Sequence, residues 1–145
     1  MSQENVEIIR RYYEAINRGD VAAALAEVDP NVEWWVRWDQ PDRSVVRGHD
    51  AWKATWDDIY ATFADFRMDP MEFIDAGDFV VVPVFQVGRF QDSDALIEQR
   101  EVHVWRLSVG KVVEVREFNE KAEALEAAGL SELSLIHISE PTRRS

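Results

Sequence analysis

The chain has 145 residues, a hydrophobic fraction of 46%, no cysteine and a formal net charge of −12. This length and composition indicate a single folded domain. The negative charge argues against nucleic acid and anionic membranes as partners, because both require a basic protein face. The lack of cysteine excludes disulfides and thiolate zinc sites.

From the sequence we expect neither a signal peptide nor a membrane-spanning segment. No apolar run reaches the length needed to span a membrane. The N-terminal "MSQENVEIIRR" lacks the charged and then apolar order of a signal peptide. We therefore expect a cytoplasmic protein.

The last stretch, "LSLIHISEPTRRS" over residues 133–145, differs abruptly in character from the segment before it. It is similar to the translated read-through of a transposase-type sequencing adapter, which indicates a gene recovered from environmental, metagenomic DNA. We therefore predict a domain over residues 1–132 and a non-native tail over 133–145, and give His137 no functional weight. The alternative is a genuine C-terminal strand, since "LSLIHIS" alternates between apolar and polar residues.

Two helices are predicted at the N-terminus. Apolar residues recur at helical spacing from Gln3 to Arg18, and a short helix follows over Val21–Val28. Gly19 is suited to end the first helix, and the Asp20 side chain is suited to cap the second. The "DPN" of residues 29–31 is expected to stop the second helix.

The middle of the chain predicts a strand over Val32–Trp38, a polar loop over Asp39–Ser44 and a third helix over about Ala51–Ala64. His49, in the "RGHD" segment before the third helix, is interpreted as a capping or loop-packing residue rather than a catalytic one.

The rest of the chain is expected to be strands and a final helix that Asn119 caps. The expected strands are Met71–Ile74, Phe79–Phe90, Ala95–Leu107 and Lys111–Phe118. Pro83 indicates an edge strand or a bulge. This order is typical of an α+β fold, with helices on one face of a curved antiparallel sheet.

Two polar residues interrupt the apolar faces of the last two predicted strands. His103 shares a face with Trp105 and Leu107, while Glu117 shares one with Val113 and Val115. These are the more apolar faces of the two strands, so both are expected to point inward.

The turn between these strands decides whether the two residues meet. A three-residue turn with Gly110 in the left-handed conformation would place His103 and Glu117 on one side of the sheet. A two-residue Val109–Gly110 turn would place them on opposite sides. The apolar pattern favours the three-residue turn.

An imidazole and a carboxylate in one apolar cavity are suited to general acid–base chemistry, because burial raises the pKa of a carboxylic acid toward neutrality. The alternative is a structural ion pair, or a Glu117 side chain that reaches solvent at the strand end.

Five segments resemble the SnoaL-like family of the NTF2-like superfamily. They are "RRYYEAINRGD", "DPNVEWW", "VVRGHDAW", "EFIDAGDFVVV" and "HVWRLSVGKVVEVREFNEKAEALEAAGL". The resemblance implies a conical α+β barrel around three N-terminal helices, with a short C-terminal helix, a deep apolar pocket and a homodimer built through the sheet. The superfamily hosts cyclases, isomerases, epoxide hydrolases, dehydratases and binding modules, so the fold alone does not fix the function.

The resemblance assigns roles to a few positions. In SnoaL-type polyketide cyclases, a pocket acid on the last strand works with a histidine on the preceding strand, and Glu117 and His103 fall at these places with Glu replacing the usual Asp. In ketosteroid isomerases the aspartate base falls at Trp34, the acidic oxyanion donor at His103 and the helix-one tyrosine at Tyr12. The Arg-x-Asp pair of epoxide hydrolases is replaced by Val84 and Gln86.

The sequence therefore predicts a small apolar or aromatic ligand in a cone-shaped pocket. Glu117 and His103 are the candidate catalytic residues, with chemistry of the cyclase, isomerase or lyase type on a carbonyl compound and without cofactor or metal. The alternatives are a non-catalytic binding or accessory dimer and a degenerate epoxide hydrolase. The candidate ligand-binding residues are Tyr12, Tyr13, Trp34, Trp56, Tyr60, Val84, Gln86, Trp105 and Val115.

Overall fold

The computed structural model describes residues 2–130, which form four helices and seven strands. The helices are α1 (Ser2–Asn17), α2 (Val21–Leu25), α3 (Gly48–Thr62) and α4 (Lys121–Ala127). The strands are β1 (Val28–Val36), β2 (Ser44–Arg47), β3 (Phe63–Pro70), β4 (Ile74–Ala76), β5 (Phe79–Phe90), β6 (Leu96–Ser108) and β7 (Lys111–Phe118). The predicted tail over residues 133–145 lies outside the described residues.

The two N-terminal helices form as the sequence predicts. Gly19 adopts φ +77° after the end of α1. The Asp20 carboxylate accepts a hydrogen bond of 3.0 Å from the Ala23 backbone N–H, which satisfies one of the free donors at the start of α2. Helix α2 ends at Leu25, earlier than predicted, because Val28 already pairs with Val112 of β7.

The first strand corrects the interpretation of "DPN" as a break. Residues 29–31 lie inside β1, where the register with β7 shifts between Val28 and Glu33. This irregularity accommodates the proline within the strand. The strand ends at Val36, two residues before the predicted end, and Arg37 then adopts φ +56°.

The sheet has the order β2-β1-β7-β6-β5-β3, and β4 also pairs with β5. All pairs are antiparallel except β1 with β7, which is parallel, so the expected antiparallel sheet is in fact mixed.

Strands β2 and β3 were not predicted, and β4 begins where the predicted Met71–Ile74 strand was expected to end. Pro83 lies in a central strand, where it pairs with Val102 of β6, so the expected edge strand or bulge is wrong. Its carbonyl accepts from Met71 N–H on the other side of β5, where the pairing changes from β4 to β3.

The sheet curls around the helices. Helix α3 contacts β2 and β3, which are the two ends of the strand order, and it also contacts β1. The main core fills the concave side, where α1 contributes Ile9, Tyr13 and Ile16. The α+β class predicted from the sequence is confirmed.

The turn between β6 and β7 differs from the expected one. It has two residues, Val109 and Gly110, at φ +50° and +76°. A β-bulge then follows, because Arg106 pairs with Glu114 while Leu107 pairs with Val112. The bulge offsets the face reversal that the short turn alone would cause.

As a result of this bulge, His103 and Glu117 are direct partners across β6 and β7. The extra residue of the bulge is Val113. Val112 therefore occupies the core position beside Val115 that the sequence analysis assigned to Val113. The predicted outcome is therefore correct, although the predicted turn is wrong.

Helix α4 packs on the outer side of the sheet. Its buried residues Ala124 and Leu125 join Val102, Val104 and Phe118 in a second, smaller apolar cluster. The N-cap is Glu120 and makes no side-chain capping hydrogen bond, so the expected cap by Asn119 is wrong.

Candidate functional site

A cavity of about 250 Å³ lies between the helices and the concave side of the sheet. Most of its wall is apolar or aromatic, with residues from α1, α3, β1 and β3. A single polar strip crosses it on β5, β6 and β7, formed by Gln86, Gln99, Glu101, His103 and Glu117.

A chain of hydrogen bonds runs behind this strip. The Trp105 indole N–H donates to the Tyr13 hydroxyl at 2.9 Å. The same hydroxyl lies 2.7 Å from His103 Nδ1, and His103 Nε2 lies 3.0 Å from Glu101 Oε1. A carboxylate oxygen can only accept, so the proton of the second bond is carried by His103 Nε2; in the tautomer with no proton on Nδ1, that nitrogen accepts the Tyr13 hydroxyl proton. His103 therefore donates to Glu101.

Glu101 is the centre of the polar strip. Its Oε1 accepts from Gln86 Nε2 at 2.9 Å as well as from His103, and its Oε2 accepts from Gln99 Nε2 at 3.1 Å. Three N–H donors are therefore directed at one carboxyl group. The Glu101 side chain is only 12% exposed, so these bonds form largely away from bulk water.

Glu117 has a different environment. Its Oε2 accepts a hydrogen bond of 2.8 Å from the Trp34 indole N–H. Burial raises the pKa of Glu117 to about 7, and the nearby negative charge of Glu101 adds to the rise. His103 and the hydrogen bonds from Trp34 and the Arg37 backbone oppose this rise in pKa. Glu117 can therefore give or take a proton near neutral pH.

The expected acid and imidazole thus share one enclosed space, but they do not bond to each other in the way the sequence suggested. His103 is the Cα partner of Glu117, yet its two ring nitrogens are bonded to Tyr13 and Glu101. Within the described residues, Glu101 is the carboxylate that His103 orients.

Tyr12 contributes a second notable group to the cavity wall. Its hydroxyl oxygen accepts from the indole N–H groups of Trp52, at 3.1 Å, and Trp56, at 3.0 Å. Both lone pairs are then occupied, so the remaining capacity of this hydroxyl is to donate its proton. Burial raises the pKa of Tyr12, so this proton is retained.

Glu101, His103 and Glu117 place one potential metal-ligand atom each within 4.8 Å of one another. Both ring nitrogens of His103 are already engaged in hydrogen bonds, Nδ1 with Tyr13 and Nε2 with Glu101. Metal ligation requires a free lone pair on a ring nitrogen. The donor set fits proton transfer better than metal binding.

Most of the predicted ligand-binding residues line the cavity: Tyr12, Trp34, Trp56, Gln86, Trp105 and Val115 do so. Tyr13, Tyr60 and Val84 lie behind the wall. The Tyr60 hydroxyl bonds to the Ile16 carbonyl at 2.8 Å, and Val84 is buried in the core.

Trp38 and His49 do not line the cavity. Trp38 lies between the guanidinium groups of Arg43 and Arg116, each 4.3 Å from its ring centre. His49 Nε2 is 2.9 Å from the Val28 carbonyl oxygen, in agreement with the packing role expected for it.

The sequence interpretation missed Glu101 and Gln99 as site residues. A signal for them was present, because residues 99, 101, 103 and 105 alternate onto one face of β6. It also missed cavity residues on β3, Phe63, Phe66 and Met68, because that strand was not predicted.

Among solved structures, an NTF2-like protein of unknown function from Burkholderia pseudomallei K96243 matches with 28% identity and a TM-score of 0.71, covering 85% of this chain and 95% of that chain. A protein from Jannaschia sp. CCS1 described as a SnoaL-like polyketide cyclase matches with 20% identity and a TM-score of 0.69, covering 87% and 91%. TerC co-crystallised with polyporic acid matches with 22% identity and a TM-score of 0.70, covering 87% and 98%.

These likenesses establish the NTF2-like fold that the sequence resemblance implied. No curated protein matches the sequence. Within residues 2–130, none of the helices is long and apolar enough to cross a membrane. The family profile of the SnoaL-like domain matches residues 9–115. The chain belongs to the SnoaL-like family.

Proposed function

We propose that the cavity binds a small neutral carbonyl compound and that Glu117 transfers protons to and from it without a cofactor. The observation that carries this proposal is the position of Glu117 in a largely apolar cavity, where burial raises its pKa to about 7. A general acid or base works best when its pKa lies near the operating pH.

The charge of the cavity wall argues for a neutral ligand. Glu101 and Glu117 both line it, and none of the described lining residues is a lysine or an arginine. A carboxylate or phosphate group would be repelled without a compensating cation. The volume of about 250 Å³ is at or below the range of roughly 300–1,000 Å³ typical of drug-sized pockets, which suits a molecule of one or two rings.

The Tyr12 hydroxyl can donate a hydrogen bond to the oxygen of a developing enolate. Its hydroxyl has one proton to donate and no remaining capacity to accept. A fixed donor directed into a water-poor cavity stabilises negative charge on the carbonyl oxygen as the proton leaves carbon. The proposed reaction class is therefore enolisation, which underlies isomerase, cyclase and lyase chemistry.

The structural neighbours are compatible with this class. One is described as a SnoaL-like polyketide cyclase, and another was co-crystallised with polyporic acid. At 20% and 22% identity they support the fold. The assignment of chemistry to this chain depends on its own residues.

The test is exchange of the acidic C–H protons of α-tetralone in D2O, followed by proton NMR at about pH 7. We expect the protein to accelerate exchange and Glu117→Gln to reduce the acceleration at least about 100-fold. Glu98→Gln is the matched control, because Glu98 is exposed on β6 and loses the same charge. Equal exchange with Glu117→Gln and the unchanged protein would contradict the proposal, and binding without exchange would favour an accessory module.

Two further expectations remain predictions. A homodimer built through the sheet is expected from the family resemblance, and sedimentation equilibrium would measure it. Cytoplasmic location is likewise expected from the sequence and would be tested by fractionation of an expressing cell.

A further inference from the structure

We propose that Glu101 is the catalytic base of this site and Glu117 its acid, while His103 is a positioning residue that holds Glu101. This inference rests on the proposed function, because it assigns the two halves of one proton transfer on a carbonyl compound. It replaces the acid–histidine pair suggested by the sequence with a pair of carboxyl groups.

The first argument is the difference between the two carboxyl environments. Glu101 accepts hydrogen bonds from three side chains, those of His103, Gln86 and Gln99, so its two oxygens face donors only. Glu117 accepts one side-chain hydrogen bond, from Trp34, and otherwise faces an apolar wall. Two carboxyl groups whose surroundings differ in this way divide into a base and an acid.

The second argument is that His103 has no free nitrogen to offer a ligand. Nδ1 accepts the Tyr13 proton and Nε2 donates to Glu101. The ring is also buried, with 5% of the side chain exposed. The imidazole is therefore held in one tautomer by Tyr13, and its effect on the reaction passes through Glu101.

The third argument is the distance between the two carboxyl groups, which place oxygen atoms within 4.8 Å of each other on one wall. A general acid and a general base must each approach their proton within about 2.6–3.2 Å. Two oxygens this close can reach adjacent atoms of one small ligand, such as a carbonyl oxygen and the neighbouring carbon.

The proton transfer then balances as follows. The Glu101 carboxylate removes a proton from the carbon next to the carbonyl, and the C–H electron pair becomes a C=C bond. The carbonyl π electrons move onto oxygen, which takes the proton of Glu117. The products are an enol, a protonated Glu101 and an ionised Glu117. Return of a proton from Glu101 to carbon and of the enol proton to Glu117 completes the cycle.

Few titratable groups surround this pair. Helix α1 presents the hydroxyls of Tyr12 and Tyr13, β6 presents His103, and the described lining residues of α3, β1 and β5 include no charged side chain. The negative charge that acts on Glu117 therefore comes from Glu101.

The experiment compares Glu101→Gln and Glu98→Gln in two measurements. In the α-tetralone exchange assay we expect Glu101→Gln to lose at least about 100-fold and Glu98→Gln to keep its rate within about twofold. In a carboxyl ¹³C NMR titration, Glu101→Gln should lower the midpoint of Glu117, because a neighbouring negative charge is removed. An exchange rate retained by Glu101→Gln, or an unchanged Glu117 midpoint, would overturn the proposal.

The two measurements separate this inference from the proposed function. If the unchanged protein does not exchange α-tetralone, the function proposed for this ligand class fails, but the NMR titration still decides whether the two carboxyl groups are paired. Circular dichroism establishes that the variants are folded. Should Glu101→Gln not fold, the exchange assay is repeated with Gln99→Leu, which removes a donor to Glu101 Oε2. Loss of that donor should lower the exchange rate, and an unchanged rate would overturn the assignment.

The positioning role of His103 has its own variants. His103→Leu removes the donor to Glu101 and should lower exchange, whereas His103→Gln retains an N–H donor and should restore much of the lost rate. Equal loss in both variants would contradict a role that acts through this hydrogen bond.

Discussion

The Trp34 indole nitrogen lies 2.8 Å from a carboxylate oxygen of Glu117 and donates a hydrogen bond to it. The contact arises from the parallel pairing of β1 with β7, in which Trp34 is the partner of Val115. The residue that occupies the place of the isomerase base in the family resemblance is thus a donor to the acid on the last strand. This donor limits how far burial raises the pKa of Glu117.

Removal of this donor should raise the pKa of Glu117 further. Trp34→Phe keeps an aromatic ring but loses the N–H that stabilises the ionised carboxylate. We expect a higher ¹³C NMR titration midpoint for Glu117 than in the unchanged protein. Trp35→Phe is the control, because Trp35 Nε1 bonds instead to Glu33 Oε1 at 3.2 Å. A lower or equal midpoint in Trp34→Phe would refute this view of the contact.

Glu117 should make the protein less stable as the pH rises. Its pKa is about 7 when folded and has an ordinary value of 4.5, so the unfolded chain releases this proton first. The contribution of the group to stability is complete below pH 4.5 and is lost as the pH rises through about 7, a loss of roughly 3 kcal/mol.

Glu117→Gln removes this titration. Relative to the unchanged protein, the variant should become more stable by roughly 3 kcal/mol as the pH is raised from below 4.5 to above 7. Urea unfolding across that range gives the difference directly. A constant difference between the two proteins at all pH values would show that Glu117 has an ordinary pKa when folded.

Tyr12 should matter for stability as well as for ligand binding. Tyr12→Phe leaves the buried N–H groups of Trp52 and Trp56 without their acceptor. Each unsatisfied buried donor costs about 1–3 kcal/mol, so for two donors we expect a loss of roughly 2–6 kcal/mol in urea unfolding. Tyr60→Phe, which loses one bond to the Ile16 carbonyl, should cost about 1 kcal/mol. Similar costs for the two variants would argue against a shared acceptor at Tyr12.

The turn between β6 and β7 contains a residue that is unsuited to its conformation. Val109 is exposed at φ +50°, where a β-branched residue is strained. Val109→Asn creates the Asn-Gly pair that this turn type favours and should stabilise the protein by about 1 kcal/mol in urea unfolding. Gly110→Ala, at φ +76°, should destabilise it by a similar amount. A less stable Val109→Asn variant and a more stable Gly110→Ala variant would contradict the turn geometry.

The more apolar face of β6 and of β7 and the nearly continuous apolar run of β5 were sufficient to predict these three long strands. The apolar pattern did not predict β2, since "SVVR" is short and half exposed at a sheet edge. It also did not predict β3, where the aromatic residues at 63 and 66 continue the helical pattern of α3.

The candidate site, too, could be predicted only in part from the sequence. Placement of Glu117 and His103 in one cavity followed from the apolar faces of β6 and β7. The bulge at Val113 that makes this placement possible has no signal in the sequence. The bonding partners of His103 could not be predicted either, because they depend on where α1 places the Tyr13 hydroxyl against β6.

The central claim is that Glu117 keeps its proton up to about neutral pH inside the cavity. A ¹³C NMR titration of the glutamate side-chain carboxyl groups, with Glu117 assigned from the signal lost in Glu117→Gln, measures this directly. The account predicts a midpoint of about 7. A midpoint near 4.3, the value of an unperturbed glutamate, would contradict it.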